Sequence, residues 1–280
     1  MGESLIDFSL GILSRSRVFQ KLPSGDLERL APRCAYERFR RGSTIARFGE
    51  STNSLMVVGR GRVKGTIPSP DGDGEFIVSL FWPGDVFGEV AFFDNRLRAG
   101  TAVAVTECEV LFVPRTELFA MMERRPTVAI RLAESVCDKL RIALELSLSM
   151  RFLDVPSRFY RRLVHLGRFD SRPDGAGVRI HHGLSQRELA DSIGASREAL
   201  NKLFGEWKRA GLLDHGRGYV VVRDPAALAM RLPPAVRQGS LIEASESRLV
   251  DVAVGPTRGR SRSRRPPDVE AILADRKSLG

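Results

Sequence analysis

The stretch Leu184–Leu213, LSQRELADSIGASREALNKLFGEWKRAGLL, admits few folds. Ser185 followed three residues later by Glu188 is the capping-box arrangement that starts a helix. Leu189, Ala190 and Ile193 give that helix a packing face. Gly194 permits the left-handed backbone of a sharp stop. Ser196 is placed to cap a second helix. In it Leu200, Leu203, Phe204 and Trp207 fall at i, i+3, i+4 and i+7, so they share one buried face. The outer face carries Arg197, Glu198, Asn201, Lys202 and Lys208. Those side chains donate to, or accept from, base edges and phosphates. Gly211 ends the helix, and Leu212–Val222 reads as a hairpin around Gly216 and Gly218. Helix, turn, helix and wing predict a winged helix-turn-helix with its second helix in the major groove. The alternative is a helical hairpin that touches nothing. The Ser-Arg-Glu start on a basic outer face weighs against it.

With 280 residues the chain has room for two domains and sizeable cores. Its hydrophobic fraction of 42% and charged fraction of 28% are those of a soluble globular protein. A net charge of +10 points to a polyanionic partner, although a basic tail on a neutral body supplies part of the excess. Cys34, Cys108 and Cys137 lie far apart, with no CxxC spacing. A zinc site, a thioredoxin-like pair and a cysteine-ligated iron–sulfur cluster therefore have no support. Single buried thiols in a reducing cytoplasm are the expectation. Residues 1–13 hold Glu3 and Asp7 without a basic start or a cleavage signature, so no signal peptide is expected. No apolar run approaches the roughly 18 residues of a membrane helix, and no membrane partner is expected.

Residues 3–13 read as a short helix or a frayed end, and Val18–Leu30 as a turn and a short helix. Strand signals follow at Tyr36–Phe39, Ser43–Arg47, Ser54–Gly59, Arg62–Ile67, Glu75–Phe81, Thr101–Val105 and Cys108–Pro114. Gly, Pro, Asp and Asn separate them, and many short strands at this spacing predict a sandwich, jelly roll or barrel. Asp71–Gly74 reads as a hairpin turn, since a calcium loop would need further carboxylates. From Pro126 to about Met150 the pattern turns helical, with Leu132, Val136, Leu140, Leu144 and Leu148 every four residues. Ala133, Cys137, Ala143, Leu146 and Met150 widen the stripe to nearly two faces. That suits a helix packed on its own domain and on a second copy, or one buried within a single chain. Asp154 or Ser157 caps a further helix to about Leu166; Asp170–Gly177 reads as a loop and Val178–His182 as a short strand. His181 and His182 point to opposite strand faces, so they form no joint ligand site. Asp224-Pro225 opens a last helix. From Pro233 the composition shifts to Pro, Gly, Ser and Arg, which reads as a disordered tail. Its arginines add non-specific phosphate affinity, or are inert.

A strand-rich domain, a long helix and a winged helix-turn-helix, in that order, resemble the cyclic-AMP receptor protein/FNR superfamily of bacterial transcription regulators. The likeness covers about residues 14–232. Its carrying motifs are GRGRVKG (Gly59–Gly65), FWPGDVFGEVAFF (Phe81–Phe93), RFLDV (Arg151–Val155) and LSQRELADSIGASREALNKL (Leu184–Leu203). The resemblance implies an α+β chain with four parts. A cyclic-nucleotide-binding-like jelly-roll barrel spans 14–125, a dimerisation helix 126–151, the winged helix-turn-helix 152–232 and a basic tail 233–280. It implies a cytoplasmic homodimer that binds double-stranded DNA, meets RNA polymerase and is no enzyme. Carried over, Ser196, Arg197, Glu198 and Lys202 form the reading start of the second helix. Arg197 reads guanine and Glu198 accepts from cytosine, in agreement with the base-edge code. Lys202 stands where the best-known regulators have arginine, and it lacks the planar fork. Asn201 shares the reading face, and Ser185 and Gln186 are placed to touch phosphates. Two copies would read half-sites about one helical turn apart.

For an effector, the resemblance implies a Gly-Glu pair opening a short helix and an Arg-Ser pair about ten residues on. Gly88, Glu89, Val90 and Arg98 match, whereas Ala99 replaces the serine. Helix amides and arginine would hold a cyclic phosphate, and Glu89 a ribose hydroxyl. The family's purine-facing polar pair falls at Ala143 and Leu144, neither of which can hydrogen-bond a base. Each lost partner costs about 1 kcal/mol or more. Cyclic AMP or cyclic GMP is the candidate effector, with altered affinity or base preference. A different effector, or none, stays open, as does an internal Glu89–Arg98 ion pair bracing the barrel. Haem has no histidine ligand in residues 36–113. A small-molecule or enzymatic barrel is the competing class. All four histidines, His165, His181, His182 and His215, lie outside the barrel, and neither GxSxG nor a Cys-His pairing appears.

Overall fold

The computed structural model describes residues 5–69 and 74–236. Residues 71–73 of the expected Asp71–Gly74 turn and the tail beyond Val236 lie outside the described residues.

The chain opens with helices α1 (Leu5–Arg15) and α2 (Ser24–Leu30) and a 3₁₀ turn, Ala31–Arg33. Strands β1 (Ala35–Phe39), β2 (Thr44–Ala46), β3 (Ser54–Arg60), β4 (Val63–Pro68), β5 (Glu75–Phe81) and β6 (Val86–Phe87) follow. Helix α3 (Glu89–Asp94) interrupts them before β7 (Thr101–Ala104) and β8 (Cys108–Pro114). These strands form two four-stranded antiparallel sheets, in the orders β1-β8-β3-β6 and β2-β7-β4-β5. Met56, Val58, Val63, Phe87, Ala102, Ala104 and Val110 fill the space between them, which is the core of a jelly roll. The alternate residues Leu55, Val57, Leu111 and Val113 face the other way, onto Ile12, Leu13, Phe19, Leu118 and Leu132. Strand β3 is covered on both faces, which is why its sequence is a continuous apolar run rather than an alternation.

Helix α4 (Arg115–Arg124) leads into the long helix α5 (Pro126–Phe152). Val128 and Leu132 are buried against the barrel. Ile130, Leu140, Leu144 and Leu148 are exposed, at 56–59%. The long helix is therefore not buried within one chain: it packs one face and leaves a second apolar face open.

The last module comprises α6 (Val155–Gly167), β9 (Ser171–Asp174), β10 (Gly177–His181), α7 (Gln186–Asp191), α8 (Arg197–Arg209), β11 (Leu213–Gly216), β12 (Tyr219–Val222) and α9 (Pro225–Met230). Its sheet runs β11-β12-β10-β9. Asp154 caps α6 by accepting from the Ser157 amide at 3.0 Å. Phe159, Leu163, Leu189, Ile193, Leu200, Phe204, Trp207 and Val220 form the core, and Phe159 meets the Phe204 ring edge-on at 5.3 Å. Packing continues to Val236, which is 2% exposed, past the Pro233 where the composition shifts.

The Asp170–Gly177 segment corrects the expectation of a loop. Residues 171–174 pair with 177–180 as a hairpin across the left-handed Gly175. Pro173 hid this strand, and an edge position tolerates its missing N–H. Helix α4 also went unexpected, because its buried residues are only Leu118 and Met121.

Candidate nucleic-acid interface and effector pocket

In the helix-turn-helix unit, the caps sit where the sequence places them. The Ser185 hydroxyl accepts from the Glu188 amide at 3.2 Å, and the Glu188 carboxylate accepts from the Ser185 amide at 2.7 Å. Ser196 Oγ accepts from the Ala199 amide at 3.1 Å and starts α8. Between the helices Gly194 adopts φ +57°, and a Cβ there would lie 2.6 Å from Met150 Sδ. With the apolar face of α8 buried, Arg197, Glu198, Asn201 and Lys202 are all exposed. Arg197, Asn201 and Lys202 make no hydrogen bond or ion pair with other described residues, so their donors are uncommitted. The Glu198 carboxyl is held below its ordinary value by its own amide and the Ser196 hydroxyl, and it stands ionised. Gln186 is half-buried, with Nε2 3.5 Å from His215 Nδ1. His215 itself stacks on Phe204 at 4.2 Å. Lys208 is turned away from the reading face into an ion pair with Asp214 of the wing, at 3.1 Å.

A cavity of about 470 Å³ lies in the barrel, bordered by β4, β5, α3, the Arg98–Ala102 segment and α5. Gly88, Glu89, Val90, Arg98 and Ala99 all line it. Gly88 takes φ +85°, and a Cβ there would meet Met56 Cε at 2.4 Å and Arg98 Nη1 at 2.9 Å. Only glycine permits this close approach of backbone and guanidinium.

Glu89 and Arg98 do not pair, which closes the alternative of an internal brace between them. Glu89 is buried and its Oε1 lies 2.8 Å from Lys139 Nζ of α5. Lys139 also donates to the Val86 carbonyl at 2.8 Å and lies over the Phe81 ring. Glu89 Oε2 is buried without a partner. Arg98 donates through Nη2 to Thr52 Oγ1 at 2.7 Å, and no described carboxylate lies within ion-pair distance of it. Burial lowers its pKa. The cavity thus holds a guanidinium with no carboxylate in direct contact, Glu50 acting on it only from a distance, and a carboxylate oxygen without a donor. Sequence reasoning missed Lys139 and Thr52: they are far from the Gly88–Ala99 motif, and nothing local marks them. On the α5 side Val136, Leu140 and Ala143 form an apolar wall, while Leu144 lies outside it.

Barrel and DNA-reading module meet directly. Lys64 of β4 contacts Glu188 of the capping box at 2.9 Å. Arg62 donates to the His181 carbonyl at 2.9 Å, pairs with Asp170 and covers Trp82, which stacks on Phe169 at 5.0 Å. Along β4 the side chains alternate, so Lys64 reaches the DNA module while Gly65 lines the cavity. Burial first, then Arg62, Arg162 and His181, brings His182 down to about 4. Its neutral Nδ1 accepts from the Leu184 amide at 3.1 Å.

Residues 36–125 match the family model of the cyclic nucleotide-binding domain, and residues 157–231 that of the Crp-like helix-turn-helix domain. A CRP-like cAMP-activated global transcriptional regulator of Mycobacterium tuberculosis is 30% identical over 220 residues, covering 79% of this chain and 98% of the relative. The chain belongs to the cyclic-AMP receptor protein/FNR superfamily of transcription regulators. A second superfamily relative, the cyclic AMP receptor protein of Thermus thermophilus, is 33% identical over 67% of this chain and 83% of its own length. A solved CRP-family transcriptional regulator, also from Thermus thermophilus, aligns with a TM-score of 0.60 and 26% identity, over 69% of this chain and 95% of that one. This CRP/FNR regulator joins a cyclic nucleotide-binding domain to a Crp-like helix-turn-helix domain. Among its described residues no helix is long and apolar enough to cross a membrane, and no group of three or more His, Cys, Asp or Glu is placed to hold a metal ion.

Proposed function

We propose that this regulator is a cytoplasmic homodimer that reads double-stranded DNA under the control of a cyclic nucleotide, and that it works with RNA polymerase rather than by turnover. The observation that carries the reading is the pair of unmet groups in the barrel cavity. Arg98 has no directly paired anion among the described residues, and Glu89 Oε2 lacks a donor. A cyclic phosphate and a ribose hydroxyl supply those two needs, and a charge-assisted bond to guanidinium is the strong kind. Lys139 ties the same carboxylate to α5, so filling the pocket bears on the long helix. The exposed stripe Ile130, Leu140, Leu144 and Leu148 offers a face for a second copy of that helix. Pocket occupancy then selects between orientations of the two reading helices. Arg197 takes guanine, Glu198 accepts from cytosine, Asn201 and Lys202 extend the reading face, and Ser185 and Gln186 meet phosphates. The apolar wall at Ala143 offers a purine no hydrogen bond, which supports a relaxed choice between adenine and guanine.

Calorimetry with cyclic AMP and cyclic GMP, followed by DNA affinity with and without ligand, tests this. Saturable heat that R98Q abolishes, with a ligand-dependent change in DNA affinity, is the expected result. No heat at millimolar nucleotide overturns the gating and leaves a ligand-independent regulator of the same fold.

A further inference from the structure

A second cavity, of about 290 Å³, lies at the joint of barrel, α5 and α6. Strand β5 and Lys139 border both it and the nucleotide pocket. From the α6 side Arg162, His165 and Phe169 enter its lining at i, i+3 and i+7, one stripe of the chain. Arg162 is the anomaly. Its Nε and Nη2 are buried with no hydrogen-bond partner, and no described carboxylate lies within ion-pair distance of the guanidinium. Burial lowers it only to about 10, so it keeps its charge at neutral pH. His165 beside it is brought down to about 3, by burial and then by Arg162 and Arg168, and is neutral. Of the cavity's acids, Asp85 is tied to the Trp82 amide and to Arg17, and Glu134 and Asp138 sit on the exposed side of α5. A buried charge left without a partner is costly, and an arginine fork is best answered by a carboxylate or phosphate.

We propose that this cavity binds a small organic anion, a carboxylate or phosphate on a compact apolar body, with Arg162 as its anchor. Leu80, Ile142 and Phe169 supply the apolar walls, and the volume suits a ligand at the small end of the usual range. The site touches barrel, α5 and α6 together, so its occupancy biases how the DNA module sits on the sensor. It is a second input, separate from the nucleotide.

The test uses the full chain and three probes of one shape: benzoate, phenyl phosphate and neutral benzamide, at constant ionic strength. The expected result is a saturable rise in melting temperature with one or both anions, about 5 °C at a hundredfold excess over Kd, and none with benzamide. Comparing benzoate with phenyl phosphate separates the carboxylate from the phosphate source. R162M loses the shift and, lacking an unpaired charge, melts no lower than the parent. R98Q keeps the shift. Should R162M fail to fold, S135F fills the cavity with the guanidinium in place and must also lose it. No anion-specific shift in the parent chain overturns the proposal. So does a shift that R162M or S135F retains, or one that R98Q removes, which would assign it to the nucleotide pocket.

Discussion

In helix α8 the uncommitted polar groups of Arg197, Asn201 and Lys202 lie within two turns of the Ser196 cap. The barrel pocket gathers Thr52, Glu89, Arg98 and Lys139 from segments far apart in the chain. The two regions also differ in what they cost. The reading face is exposed and its free donors are solvated, so an empty face carries no penalty. The pocket keeps a carboxylate oxygen and a guanidinium partly out of water, and a buried polar group without a partner is unfavourable. A local, solvated face stays open at no expense, whereas a desolvated polar group without a partner is unfavourable.

The largest expected effect breaks the pocket side of that contrast. K139M leaves the Glu89 carboxylate buried without its cation, and losing one partner of a buried pair costs about 3 kcal/mol. Chemical denaturation measures it, and the E89Q/K139M double variant should lose much less than the two single changes added together. An additive result would remove Lys139 from the pocket.

R197A tests the reading side. It should cost about 1–3 kcal/mol of discrimination at one base position, with the fold intact because the side chain is exposed. Competition binding against single-base variants of a selected site reads this. K202A should cost less discrimination than R197A, because lysine is a point charge without the planar fork. An unchanged preference in R197A would remove it from base reading.

Acid should separate the two regions. His165 and His182, at about 3 and about 4, sit in the DNA-reading module, and residues 36–113 contain no histidine. Folded values below the unfolded one mean that the native state binds fewer protons, so stability is complete above about pH 6.5 and falls as pH drops below it. One pH unit lower, the loss is roughly 1 kcal/mol per histidine. Hydrogen exchange should show α6, α7 and α8 opening before the jelly-roll strands.

The smallest effect concerns the joint. Burial raises the Glu188 carboxyl, but the Ser185 amide, Lys64 and the Ser185 hydroxyl outweigh it and leave it depressed. Its contribution is present above the unfolded carboxyl value and lost as pH falls through the folded one. K64A should remove about 0.5–1 kcal/mol and raise exchange in α7 without changing the barrel strands. Equal exchange in α7 would show that Arg62, with Trp82 and Phe169, holds the joint alone.

Much of this architecture was legible in the sequence. Ser185 with Glu188, Ser196, and the spacing of Leu200, Leu203, Phe204 and Trp207 act over three to seven residues, and each element formed where they point. The jelly-roll strands were legible from their punctuation, except β6, which is only two residues long. Strand β9 was hidden by Pro173. In the pocket, motif spacing located Gly88, Glu89 and Arg98, but the ion pair left open between Glu89 and Arg98 does not form.

The sequence by itself determined the helix-turn-helix, the exposed reading face and the two apolar faces of the long helix, because caps and periodicity operate between near neighbours. Only the tertiary structure decided that Glu89 meets Lys139 instead of Arg98, that Lys64 reaches the capping box, and that Nε and Nη2 of Arg162 are buried without a described partner. Burial and the choice of a charge's partner depend on which distant segments the fold brings within a few ångströms, and no local pattern carries that information.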